Sequence, residues 1–160
     1  MIEDDAAMLE LIVQILESIG INSIAVATDG IEAWRKFQDG EQFGLVICDG
    51  VMPGMDGLEV LRNIRTGSSA IPFILVTVRD SAEAIKEAAS SGVTAFISKP
   101  FKAEDIVLEV YRVLTDSDGA KDKGDSSVWE IWAAPRSANS GSRYLWTTAL
   151  AETEILGDSE

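Results

Sequence analysis

Five side chains have the types and the placement to do chemistry together. Asp49 closes the apolar run "LVIC", Glu3 and Asp4 precede an apolar-periodic stretch, Thr77 follows Phe73 to Val76, and Lys99 follows Ala95 to Ile97. Three carboxylates held close raise one another's pKa unless a cation joins them. A hard divalent ion such as Mg²⁺ takes one or two carboxylates, a carbonyl and several waters. A lysine and a hydroxyl opposite would stabilise an anion carried by Asp49. Each residue also has a plainer reading: Asp49 a solvated strand end, Glu3 and Asp4 helix caps favoured by the dipole, Thr77 a strand-end hydroxyl and Lys99 a solvated lysine.

The elements that must position these groups alternate. Met8, Leu11, Ile12, Ile15, Leu16 and Ile19 recur at three- and four-residue steps, which predicts a helix over Ala6 to Ile19 stopped by Gly20. A short strand is expected over Ile24 to Ala27, then a helix over Ile31 to Phe37, a strand over Leu45 to Cys48, and a helix over Leu58 to Ile64. The strand Phe73 to Val76, a helix after Asp80, the strand Ala95 to Ile97 and a helix over Ala103 to Leu114 complete the series. Asp80 with Glu83 three residues on resembles a capping box. Strands that are continuously apolar are buried on both faces, so the pattern predicts an α/β fold with a doubly wound parallel sheet and helices on both faces. In such sheets ligands sit beyond the carboxyl ends of the strands, where Asp49, Thr77 and Lys99 stand.

The chain of 160 residues is long enough for one domain and an appendage. After Leu114 the composition turns to "TDSDGAKDKGDSS", a linker signal, so a domain is expected over 1–115 and a flexible linker and tail without a recognised motif over 116–160. With 27 acidic and 13 basic side chains the net charge is −14, which makes nucleic acid and anionic membrane poor partners. The absence of histidine and the single Cys48 exclude imidazole catalysis, the usual zinc fingers and disulfide scaffolds. Cys48 reads as a buried small hydrophobe. No signal peptide or membrane-spanning stretch is apparent, and a cytoplasmic location is expected.

The acidic pair Glu3-Asp4, "DGVMPGMDG" from Asp49, Thr77 at the end of "IPFILVT" and "KPF" from Lys99 occur in the order and approximate spacing of a known family. Residues 3 to 115 resemble the receiver domain of two-component response regulators, which includes the single-domain chemotaxis regulator. The resemblance implies a flavodoxin-like sheet of order 2-1-3-4-5. It implies that Asp49 is the phosphoacceptor, taking a phosphoryl group from a histidine kinase or phosphotransfer protein. Glu3, Asp4, Asp49 and the backbone carbonyl of Val51 would hold Mg²⁺, while Thr77 and Lys99 would meet the phosphoryl oxygens. Phe96 matches the aromatic switch position, whose ring turns inward once Thr77 is drawn to the phosphoryl group. The Lys99-Pro100 bond is expected to be cis, and a downstream protein is the expected target, since residues 116–160 carry neither a helix-turn-helix pattern nor a basic surface. Such a protein is a switch, not an enzyme, beyond its own phosphotransfer and slow dephosphorylation.

Two departures from the family pattern stand out. Only Met1 and Ile2 precede Glu3 where a strand of five or six residues belongs, so either the true start lies upstream or something else fills the slot, for which "YLWTTALA" in the tail is a candidate. Val78 replaces a small residue beside Thr77 and is expected to narrow access to Asp49. A receiver-like interaction module that is not phosphorylated is the alternative reading. A Mg²⁺-dependent aspartyl phosphatase is disfavoured because Val51 stands where a second acid is needed, and flavin binding because Asp5-Ala6-Ala7 offers no phosphate loop.

Overall fold

The computed structural model describes residues 1–67 and 69–116. Five helices and three strands alternate: α1 (Ala6–Ser18), α2 (Gly30–Gln38), β1 (Val46–Asp49), α3 (Gly57–Thr66), β2 (Phe73–Thr77), α4 (Ala82–Ser90), β3 (Ala95–Ser98) and α5 (Ala103–Asp116). β1 pairs with β2 and β2 with β3, all parallel, with Asp49 beside Val76 and Thr77 beside Ser98. Ile2 adds one parallel bridge to Cys48 and another to Ala27. The expected strand order therefore persists, with the two members on one side, at Ala27 and Ile2, reduced to a single residue each.

Strand alternation sorts the side chains onto two faces. Ile47, Ile74, Val76, Ala95 and Ile97 pack with Ile12, Ile15 and Leu16 of α1 and with Ile106, Val110 and Val113 of α5. The alternate residues face the other way, where α2 packs on α3 and Arg62 of α3 pairs with Glu87 of α4 at 2.7 Å. Ile74 and Val76 are wholly buried, each worth about 1.5–3 kcal/mol of transfer free energy. Cys48 is wholly buried as well, its thiol donating to the Asp49 carbonyl at 3.1 Å and held from ionising first by burial, then by the charge of Asp49.

The helices follow the periodic stretches, and the differences lie at their ends and at one strand. Gly20, at φ +87°, stops α1 as expected. The cap of α1 is Asp5, whose carboxylate accepts from the Met8 amide at 2.9 Å, and neither Glu3 nor Asp4 takes that role. Ser81 and not Asp80 caps α4, its hydroxyl accepting from the Ala84 amide at 3.2 Å; it stands one residue nearer the first turn, within reach of that amide. A full capping box forms instead at Asp56 and Glu59, ahead of α3. The strand expected over Ile24 to Ala27 shrinks to the bridge at Ala27 because a strand needs a ladder partner, and here only Met1 and Ile2 supply one. "VWEIWAA" and "YLWTTALA" lie outside the described residues, as does the tail's candidacy for the first-strand slot.

Candidate functional site

The parallel sheet delivers three strand ends to one edge. Asp49 is the last residue of β1, Thr77 the last of β2, and Lys99 follows β3 directly. Glu3 joins them because the Ile2 amide donates to the Ile47 carbonyl and the Ile2 carbonyl accepts from the Asp49 amide, both at 2.9 Å, while on the other side the Glu3 amide itself donates to the Ala27 carbonyl at 3.2 Å. The Lys99-Pro100 bond is cis, as expected.

Lys99 reaches back into the acidic group. Its Nζ lies 2.8 Å from Asp49 Oδ2 and 3.0 Å from Glu3 Oε2. The other Asp49 oxygen, Oδ1, accepts from the Val51 amide at 3.1 Å, and Glu3 Oε1 from the Asp5 amide at 3.3 Å. Glu3 and Asp49 are buried and Asp4 is exposed. Burial raises the Glu3 pKa and the Asp49 charge adds to this, against the opposing hydrogen bond from Lys99. Burial works to lower the pKa of Lys99, but its bonds to Asp49 and Glu3 prevail and hold it above the usual lysine value.

One carboxylate oxygen from each of Glu3, Asp4 and Asp49 lies within 4.8 Å of the others. Three negative charges face one ammonium, which already sits between two of them. An all-oxygen donor set left with excess negative charge suits a hard divalent ion. These residues therefore fit Mg²⁺.

The loop after Asp49 is packed so closely that its glycines are required. A Cβ on Gly50 would lie 2.6 Å from Thr77 Cβ, and one on Gly57 2.2 Å from the Asp49 carbonyl oxygen and 2.9 Å from Leu75 Cδ1. Gly54, at φ +81°, makes the reversal between them. Two of these glycines, Gly50 and Gly57, let Thr77 and α3 approach the Asp49 backbone. Thr77 is buried, and its Oγ1 accepts from the Arg79 amide at 3.1 Å. Phe96 is buried too. Val78 is 61% exposed, standing out from the loop beyond Thr77.

Comparison with known proteins agrees with this geometry. The profile of the response regulator receiver domain matches residues 1–111. The chemotaxis protein CheY-3 of Vibrio cholerae is 35% identical over 104 residues, covering 64% of this chain and 79% of that protein. The chemotaxis protein CheY of Pseudomonas aeruginosa is 29% identical, covering 74% and 96%. Among solved structures, the receiver domain of the Francisella response regulator 1452 superposes with a TM-score of 0.68 at 27% identity, covering 72% of this chain and 94% of that one. Vibrio cholerae CheY4 superposes with a TM-score of 0.65 at 30% identity, covering 71% and 94%.

Proposed function

The chain belongs to the receiver-domain family of two-component response regulators, and on that premise we propose that Asp49 accepts a phosphoryl group and thereby switches a partner-binding face. The observation that carries this reading is the bridging lysine, with Nζ 2.8 Å from Asp49 and 3.0 Å from Glu3 inside a cluster that keeps excess negative charge. Asp49 Oδ attacks the phosphorus of a phosphohistidine on a histidine kinase or phosphotransfer protein, the P–N bond breaks, and the imidazole leaves with its electron pair. Glu3, Asp4, Asp49 and the Val51 carbonyl would hold Mg²⁺, which when bound offsets charge on the phosphoryl oxygens. Lys99 takes one phosphoryl oxygen by ion pairing and the Thr77 hydroxyl donates to another. Phosphoryl transfer depends on such positioning and charge stabilisation more than on covalent chemistry by the protein.

The receiver occupies 1–115 and closes with α5, and its output is contact with a downstream protein in the cytoplasm. The charge of −14 argues against direct nucleic-acid or membrane contact. Phe96, buried on β3, and Thr77, at the end of β2, carry the switch. The protein is a signalling switch and turns over no substrate beyond its own phosphoryl group.

The test is the intact mass of the full chain after incubation with a small-molecule phosphodonor and Mg²⁺. A gain of one phosphoryl group is expected, and none in Asp49→Ala. A second reading, an interaction module that is not phosphorylated, draws support from the single-residue anchoring of Glu3 and Asp4. It requires that the folded protein gain no mass and that Mg²⁺ binding, if any, survive Asp49→Asn.

A further inference from the structure

Charge and exposed apolar surface both divide unevenly between the two helical layers. α1 and α5 cover one face of the sheet, with Ile12, Ile15 and Leu16 packed beside Ile106, Val110 and Val113. α1 carries Glu10 and Glu17 and no base, and α5 carries Glu104, Asp105 and Glu109. The one base of α5, Arg112, is paired with Glu109 at 2.8 Å. On the other face α2, α3 and α4 set Arg35, Lys36, Arg62, Arg65 and Lys86 against Glu32, Glu59, Glu83 and Glu87. Of the two layers, the one made by α1 and α5 is therefore the negative one.

The same layer keeps most of the exposed apolar surface. Among the described residues, the large apolar side chains left exposed on helices are Leu11 of α1, Ile31 of α2, and Leu108, Tyr111 and Leu114 of α5. The last three recur at three-residue steps and form one ridge, about 9 Å long, of the kind that packs into the groove of another helix. Leu108 is 60% exposed and Tyr111 66%, whereas Ile106, Val110 and Val113 of the same helix are buried. α5 thus has a second apolar side besides the one that meets the sheet, and a contiguous exposed patch of this kind marks an interaction surface.

We propose that this ridge of α5 docks an amphipathic helix of a partner protein, apolar on the side that meets Leu108, Tyr111 and Leu114 and basic along its flanks. The charge decides among the occupants. A second copy would bring an equally acidic layer against this one, and like charges repel. Anionic lipid and nucleic acid are repelled in the same way. A basic-flanked helix satisfies the apolar ridge and the acids of α1 and α5 together, with anchors at three- and four-residue steps. Tyr111, in the middle of the ridge, is the expected anchor, since its ring buries a large area while its hydroxyl stays wet. The proposal concerns a helix face and holds whether or not Asp49 takes phosphate.

The experiment is an anisotropy titration of the full chain against the dye-labelled peptide Leu-Lys-Lys-Leu-Leu-Lys-Lys-Leu-Leu-Lys-Lys-Leu, and against a version with glutamate at every lysine. The lysine peptide is expected to bind, more weakly as salt rises, and the glutamate version not to bind. Leu108→Ser and Tyr111→Ser should each weaken binding by about tenfold or more, while Ile31→Ser, on the opposite layer, leaves it unchanged. All three positions are exposed, so the variants keep the fold, which far-UV circular dichroism checks. Binding untouched by Tyr111→Ser, or weakened equally by Ile31→Ser, would overturn the proposal, since the peptide would then be following net charge alone. So would a free protein that is dimeric and becomes monomeric with Tyr111→Ser, because the ridge would then be the seat of a second copy.

Discussion

The two ends of β1 are built to different standards. At its carboxyl end, Asp49 is enclosed by Gly50 against Thr77, Gly57 against its own carbonyl, and Lys99 against its carboxylate. Toward its amino end, Leu45 and Val46 line an open groove with Ala25, Ala33 and Phe37. The difference shows that close packing is concentrated at the acidic site. Glu3 is held there by the two bonds of Ile2 to β1 and by its own amide, which donates to the Ala27 carbonyl. The sheet's stability depends on a strand's whole length, whereas the site depends on its last residue.

The sharpest way to break this comparison is to add carbon to each end. Gly57→Ala places a methyl against the Asp49 carbonyl and should cost about 2–3 kcal/mol in urea denaturation. Ala25→Val adds two methyls beside the groove and should change stability by less than about 0.5 kcal/mol. Equal costs would mean that the groove is as tightly packed as the site.

A smaller effect concerns charge. Folding raises the Glu3 pKa, so the folded state holds more protons than the unfolded chain, and stability falls as pH rises from the ordinary glutamate value through the raised one. Glu3→Gln should therefore raise the Tm by a few degrees near pH 7, with the gain shrinking as pH drops below the ordinary value. The same variant should weaken Mg²⁺ binding by about tenfold or more. Thermal unfolding across pH and a Mg²⁺ titration by calorimetry read the two halves; a Tm that falls at neutral pH would show that the Lys99 pair outweighs burial. Lys99 has the opposite placement in pH: its pKa is also raised, so its contribution is complete below the ordinary lysine value and is lost only on rising through the higher one.

The smallest expected change is at Val78, which is exposed beside the site. Val78→Ala should speed both phosphorylation and hydrolysis about twofold to tenfold, since a few tenths to about 1.4 kcal/mol of barrier is the scale of a side chain at an entrance. Rates by stopped-flow with a small phosphodonor decide it, and unchanged rates would exclude Val78 as a barrier.

The strands and the acidic constellation were legible because buried parallel strands read as unbroken apolar runs and their ends are marked by the first charged or hydroxyl residue. The caps were less so. Asp80 and Ser81 compete for one helix start, and the choice rests on a one-residue difference in reach. The strand expected over Ile24 to Ala27 narrowed to a bridge because pairing depends on a partner segment, here Met1 and Ile2, and the local apolar run carries no signal of that partner's length. Nothing local marks Gly50 and Gly57 as more than turn residues; what they make room for, Thr77 and the Asp49 carbonyl, is brought there only by the fold. Within the run Glu3-Asp4-Asp5 no local signal separates the cap, Asp5, from the acids that face Asp49.

The ion pair between Lys99 and Glu3 joins positions 96 residues apart, and its partner pair to Asp49 spans 50. Contacts of such separation are among the slowest to form, because the intervening chain must first give up its freedom. A nascent or partly folded chain therefore holds Asp49 apart from the Glu3-Asp4 pair, and all three acids apart from the lysine. The pocket comes into being only when the whole domain has closed, so its competence to take phosphate is also a report that folding is complete.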